Sequence, residues 1–376
     1  MDFALSAEQE ELRSYARTVL KQRLPPAVAR SMMQHATAHD PEAYGELAAL
    51  GWTGVAIPEG LGGQGATYVE LAVLLEEMGR TLMPGPFFAT VGLAAPVLSA
   101  DTGSEVARDL LHGIAAGSVL ATVAWTGESG VPGLGGVAAS AMGHGDQFCL
   151  DGVAGYVPDA HVADRIIVAA TEPDGGARIT LFVVDPASPG VEVTQVECLD
   201  RTRRLCTVAF SGTVVSERDV VGAYGEGRSL LDYGLNVASV LIAAESVGGA
   251  NAVLDESVDY ARVRTQFGRA IGTFQAVKHR LADVLVTVEL GRTAEYYGAW
   301  AATAGPAELP MAAAIAKAYC TAAYTAAAEI AIQTHGGIGF TWEHDLHLYL
   351  RRAKTNELLL GQPAYHYEQL AALLAG

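Results

Sequence analysis

The chain has 376 residues, half of them apolar, and a formal charge of −18. That length exceeds one average domain and predicts two or three domains with sizeable cores. Such acidity excludes general nucleic-acid binding, because phosphate backbones select basic surfaces, and with only 24 Lys and Arg any local cluster of cations is informative.

The amino terminus, MDFALSAEQEELRSYAR, carries acids where a secretory signal carries bases, and it reads as a helix capped by Ser6 with Gln9 closing a capping box. Residues 1–118 read as a helical domain, through the segments LSAEQEELRSYARTVLKQRL, PEAYGELAALGW, TYVELAVLLEEMGRTL and SEVARDLLHGIAAG. Residues 119–222 read as a barrel-like β domain of short runs, VLATVAW, RIIVAAT, ITLFVVD, VEVTQVE and CTVAFSGTVV, parted by turns such as EPDGGAR and DPASPG. Residues 223–376 return to long helical pieces rich in Ala and Gly, as in a helix bundle. The Ala-rich helix near Met311 to Gln333 holds Lys317 and Glu329 in its interior, where lipid would penalise each by roughly 2.5 kcal/mol or more. It is therefore a packed helix, and no membrane span is expected. Cys149, Cys198, Cys206 and Cys320 are scattered without a CxxC pair or histidines at ligand spacing. That predicts neither disulfides nor a zinc site, and a reducing cytoplasm.

Three passages bear on chemistry. GLGGQG at 60–65 matches a dinucleotide fingerprint with TGVAI as the strand before it, but Pro58 and Glu59 interrupt the passage and no βαβ series follows. A turn between helices is the expectation. RTQFGRAIGTFQAVKHR at 264–280 gathers Arg264, Arg269, Lys278 and Arg280 around Phe267 and Phe274 where one helix ends and another begins. Arg264 offers a fork to a pyrophosphate, the rings offer faces to an adenine or flavin, and Gln275 offers pairing to a ring edge. A solvated turn with a phenylalanine core accounts for the same spacing. QTHGGIGF at 333–340 ends the Ala-rich helix with Gln333, His335 and the pair Gly336 and Gly337, where backbone can approach a ligand with no side chain intervening.

RTQFGRAIGTFQAVKHRLAD, QTHGGIGFTWEHDLHLYLRRAK and LGWTGVAIPEGLGGQGATYVELAVLLEEMGR closely resemble signatures of the acyl-CoA dehydrogenase family, over almost the whole chain. The resemblance implies an α+β fold: a helical N-terminal domain, a middle β domain and a C-terminal four-helix bundle. It further implies FAD at a subunit interface. By similarity Arg264, Phe267, Phe274, Gln275, Gln333, Gly336 and Gly337 serve the adenine and pyrophosphate side of a neighbouring chain's flavin, and Thr126 remains from the passage that lines a chain's own. An acyl-CoA substrate, an electron-transfer flavoprotein and homo- or hetero-oligomers are the implied partners, in lipid or steroid catabolism.

The departures matter as much. The family reaction needs a carboxylate base beside the flavin, yet the two positions where the family carries it hold Leu360, followed by Gly361 and Gln362, and Ala238. WTGESGV keeps Thr126 but no Ser-Asp pair, and GYVPD puts Tyr156 in place of a tryptophan. Glu245, seven residues after Ala238, and Glu357, three before Leu360, are the substitute candidates. Each has a plain alternative, a buried acid paired with an arginine for Glu245 and a solvated helix-end charge for Glu357. His344, Asp345 and His347 lack HExxH spacing and read as packing or interface residues, with no metal expected. Three functions stay open: a dehydrogenase forming an α,β double bond, a catalytically silent subunit completing a heteromer's FAD site, and a flavin monooxygenase on the same fold.

Overall fold

The computed structural model describes residues 4–130, 132, 137, 139–144, 146–173 and 178–375. The centre of the EPDGGAR turn and the last residue of WTGESGV lie outside them. Two compact units emerge, one of Met1–Gln34, Thr67–Met83 and Ser239–Gly376, the other of His35–Ala66 and Pro84–Ala238.

The first unit is helical. Helix α1 (Ala7–Arg23) starts on the capping box of Ser6 and Gln9 and is followed by α2 (Pro26–Met32). Its other members are α4 (Tyr68–Arg80), most of α7 (Gly227–Val263), α8 (Gln275–Ala304), α9 (Leu309–His335), α10 (Leu346–Leu358) and α11 (Pro363–Ala375). Thr67 and Glu70 form a second capping box on α4. The core of α7, α8, α9 and α10 is mostly Ala and Val with Tyr324 and Tyr349, small enough for close helix approach. Helix α7 is long and apolar enough to cross a bilayer by length and composition, but 94% of its apolar stretch is buried inside the protein. It is a core helix.

The second unit holds α3 (Pro41–Ala49), a π-helical turn at Phe88–Ala94 running into α5 (Ala95–Ser99), α6 (Glu105–Ala115) and an eight-stranded sheet. The strands are β1 (Ala121–Ala124), β2 (Ala139–His144), β3 (Gln147–Pro158), β4 (Arg165–Thr171), β5 (Ile179–Val184), β6 (Val191–Val196), β7 (Leu205–Ser216) and β8 (Val220–Val221). Their order is β6-β7-β3-β2-β4-β5-β8, with β1 parallel to β4. All six residues of β5 are buried, which is why ITLFVV reads as an unbroken apolar run. β2 and β3 have no such signal. QFCLDGVAGYVP is interrupted by Gly152 and Gly155, and its pairing with β7 shifts register between Leu150 and Gly152 and between Ala154 and Val157.

GLGGQG is a turn, as its setting predicts. TGVAI forms no strand; Trp52–Gly54 and Glu59–Leu61 are 3-10 turns between α3 and α4. A Cβ on Gly63 would sit 2.0 Å from the Ile57 carbonyl oxygen, so the glycine there serves chain packing.

Helices α4 and α7 meet at a reciprocal glycine crossing. A Cβ on Gly79 of α4 would lie 2.0 Å from the Glu245 carbonyl oxygen, and one on Gly248 of α7 would lie 1.8 Å from that of Glu76. Because the neighbour in each case is rigid backbone, Gly248→Ala is expected to destabilise by about 3 kcal/mol or more. The thermal midpoint should fall by roughly 6 °C or more; a wild-type midpoint in calorimetry would show that the helices part freely.

Candidate functional site

Helix α7 ends at Val263, and the Arg264 N–H closes it by donating to the Tyr260 carbonyl at 2.8 Å. A two-residue hairpin follows, β9 (Thr265–Gln266) against β10 (Arg269–Ala270). Its central residues, Phe267 and Gly268, both have positive φ, 51° and 77°, the geometry of a primed turn. A phenylalanine at positive φ is strained, and here it presents a ring that is 90% exposed. Phe274, capping α8, meets that ring edge-on at 6.1 Å, and the Arg269 guanidinium covers Phe274 at 4.2 Å. No side chain caps α8; the Val277 N–H donates to the Phe274 carbonyl at 3.1 Å, and the N–H groups of Gln275 and Ala276 remain for an outside acceptor.

The second passage is joined to the first through aromatic contact. The Tyr260 ring stacks on buried His335 at 4.2 Å, and Gly336 and Gly337 follow directly. Gly336 has φ +64°, and a Cβ on either glycine would meet nothing within 4 Å, so the chain leaves an open cradle there. Gln333 is exposed on the last turn of α9, while Ile338, Phe340 and Trp342 stand exposed beyond the glycines. Thus Arg264, Phe267, Phe274 and Gln275 gather at one corner, and Tyr260 links them to Gln333, Gly336 and Gly337. Sequence reasoning overlooked Tyr260, whose only signal was an aromatic one helical turn before Arg264. Among the described residues Arg264, Lys278 and Arg280 form no ion pair. Free cations, an uncapped helix start, exposed rings and an open glycine cradle are the donor set and space that an FAD adenine and pyrophosphate require.

Thr126 lies in the sheet-bearing unit, buried, with its hydroxyl donating to the Gly155 carbonyl at 3.0 Å. That hydroxyl secures a turn. Tyr156 adopts φ +55°, and its ring fills the space where a Cβ on Gly130 would lie, at 2.8 Å.

Both candidate carboxylates are engaged. Ala238 is fully buried and Leu360 nearly so. Glu245 is buried and accepts from Arg352 Nη1 at 2.9 Å and Asn356 Nδ2 at 3.2 Å. Glu357 accepts from Thr325 Oγ1 at 2.7 Å and Lys354 Nζ at 3.2 Å. The turn that bears Leu360, with φ +65°, is pinned by Lys317, whose Nζ donates to the Gly361 carbonyl at 2.7 Å and the Glu357 carbonyl at 3.2 Å. His366 Nε2 donates to the Leu360 carbonyl at 3.0 Å. Burial, reinforced by the nearby Lys317 charge, takes the His366 pKa down to about 4. Asp345 accepts from Arg30 Nη2 at 2.6 Å, and the His347 ring packs edge-on against Trp342 at 4.8 Å.

Two outcomes follow. Glu245→Ala leaves the Arg352 guanidinium buried without its carboxylate and should cost about 3 to 5 kcal/mol in denaturant unfolding; a cost near zero would mean the pair is solvated. Burial lowers the Lys317 ammonium from 10.5 to about 7 against the opposing charge of Glu357. The unfolded chain holds that proton up to its ordinary range, so between those values unfolding takes up a proton and the contribution of Lys317 to stability rises with pH. The thermal midpoint of wild type relative to Lys317→Met should therefore climb from pH 7 to pH 10; a flat difference would remove the assignment.

Family models described as the acyl-CoA dehydrogenase N-terminal domain and C-terminal domain match residues 6–118 and 225–375. The chain is 31% identical over 369 residues to acyl-CoA dehydrogenase IpdE2 of Mycolicibacterium smegmatis, covering 98% of this chain and 99% of that protein. It is 32% identical to IpdE2 of Mycobacterium tuberculosis, covering 95% and 94%. Among solved structures, the Mycobacterium tuberculosis ChsE4-ChsE5 complex superposes with a TM-score of 0.90 at 27% identity over 100% of this chain and 99% of that one. A variant of the Tcur3481-Tcur3483 steroid ACAD does so with a TM-score of 0.87 at 31% identity over 98% of each.

Proposed function

This chain belongs to the acyl-CoA dehydrogenase family, and we propose that it is the partner subunit of a two-chain enzyme, completing the FAD site of a second chain that carries the catalytic carboxylate. The cofactor is FAD. The observation that carries the reading is an asymmetry within this chain. The corner at Arg264 and Gly336 is furnished and faces outward, whereas the two positions where the family carries its base hold Ala238 and Leu360, and both nearby candidates, Glu245 and Glu357, are hydrogen-bonded. Two of the similar structures are named as pairs of different chains, one of them as a steroid enzyme, which supports both a heteromer and a bulky, steroid-type acyl-CoA. The assembly introduces an α,β double bond, acts in the cytoplasm and passes electrons to an electron-transfer flavoprotein.

When bound, FAD would supply the two-electron acceptor for the substrate's β-hydrogen. The residues of this chain bind and orient. Arg264 forks to the pyrophosphate together with the free N–H groups that open α8. Phe267 covers a ring face, Gln275 and Gln333 pair with polar ring edges, and Gly336 and Gly337 let the backbone close on the cofactor.

The test compares the chain alone with the chain copurified with its partner from the native host, each mixed anaerobically with a steroid-type acyl-CoA while flavin absorbance is followed. Bleaching is expected from the complex only, and bleaching by the lone chain would overturn the reading. Arg264→Ala in the complex should raise the FAD dissociation constant by roughly tenfold to a hundredfold, for loss of a charge-assisted contact. Unchanged affinity would return the hairpin to a solvated turn.

A further inference from the structure

At the edge of the proposed flavin corner, sharing His335 with it, side chains from three elements converge on one point. Glu256 on α7, His335 at the end of α9 and His344 before α10 place their donor atoms within 4.8 Å of one another. We propose that Glu256, His335 and His344 form a binding site for a divalent transition-metal ion, with zinc the ion their donor set fits.

Two imidazoles and one carboxylate with an open fourth position is a zinc ligand set of the exchangeable kind. Donors at about 2.1 Å around a tetrahedral centre lie about 3.4 Å apart, so a contraction of on the order of 1 Å closes the site. His335 is already oriented for it. Its Nδ1–H donates to the Ala331 carbonyl at 2.9 Å, which leaves the Nε2 lone pair outward, and the stacked Tyr260 ring fixes its plane. The His335 ring lies 5.0 Å from that of His344.

His344 sits with Nε2 at 3.5 Å from Glu256 Oε1. Ligating through Nε2, it gives up a long 3.4 Å contact from the Leu346 N–H. Its peptide is held independently, since Arg30 donates from Nη2 to the His344 carbonyl at 2.8 Å, from the same fork to Asp345, and to the Trp342 carbonyl. Glu256 is partly buried. An ion there supplies the positive charge that this carboxylate lacks. Bound metal would cross-link the ends of α7 and α9 to the segment between His335 and α10, which bears the exposed Ile338, Phe340 and Trp342.

The test uses the full chain, stripped with chelator and titrated with Zn²⁺ by calorimetry, without flavin or substrate, so its result is independent of the proposed function. One site per chain is expected, weakened at least ~tenfold in both Glu256→Gln and His344→Gln, and a rise of the thermal midpoint with Zn²⁺ in wild type that both variants lose. Co²⁺ in place of Zn²⁺ should give the visible bands of a four-coordinate site in wild type. Circular dichroism checks the fold of each variant. Equal zinc uptake in wild type and variants, or a wild type that takes up no zinc and shows no cobalt bands, would overturn the site and leave a hydrogen-bonded cluster of the three side chains.

Discussion

The buried pair of Arg352 and Glu245 is the constraint on which the helical unit depends. Two charges out of water are tolerated only when their remaining hydrogen-bonding capacity is met. Asn356 meets part of it on the Glu245 side and also reaches Ser246 Oγ, while the Arg352 guanidinium extends toward the Met83 carbonyl. One side chain of α10 thereby fixes that helix against α7 and against the segment just after α4. The glycine crossing at Gly79 and Gly248 lets α4 and α7 approach until backbone meets backbone, beside the residue that bears this carboxylate. With the direction of α10 set, its carboxyl end falls at Lys317, which holds the turn containing Leu360 in a strained backbone state. The acid at 245 is therefore committed to the scaffold.

A second set of buried charges follows a different rule. Arg292 pairs with Glu76 at 3.1 Å and with Glu289 at 3.6 Å, and neither oxygen of the nearby Glu295 has a hydrogen-bond partner. Two carboxylates with one cation in a dry interior do not both ionise. Burial and the neighbouring Glu76 push the Glu295 pKa well up, which favours its neutral form. The Arg352 pair and the Arg292 cluster show why a carboxylate inside an apolar helix is weak evidence of a base until its partners are seen.

Much of this architecture was legible. Ser6 with Gln9 announces α1, the change of period near residue 119 marks the sheet, and β4 and β5 follow their apolar runs. Legibility fails where the governing contact is remote in sequence or the local signal is diluted. β3 carries glycines that make bulges instead of a clean alternation, and α2 is a short helix between proline and a methionine pair. The pairing of Arg352 with Glu245 joins residues 107 positions apart, and the convergence of Glu256 on His335 and His344 depends on the packing of α7 against the end of α9. No spacing rule detects either. The cluster at Arg264 and Gly336 stood out in the sequence because its residues lie within two short stretches and mix types that a core does not gather.

That corner also resolves a tension in the composition. The chain has 42 acids for 24 strong bases, so a surface cation can readily find an acidic neighbour. Arg17, Arg30, Arg80 and Arg292 each do so. Among the described residues Arg264, Lys278 and Arg280 do not, and in the same stretch the Phe267 ring is left almost wholly in solvent. Leaving cations unpaired and an aromatic face wet gains nothing for an isolated chain, since surface pairing is worth a fraction of a kcal/mol and burying a ring is worth more. Both features gain value once an anionic, planar cofactor and a second subunit cover them, because the charge-assisted contacts then form in a drier setting and the ring leaves water. On the proposed reading the hairpin's strained Phe267 fits the same logic, with a backbone cost carried in the free chain that a covering subunit would offset.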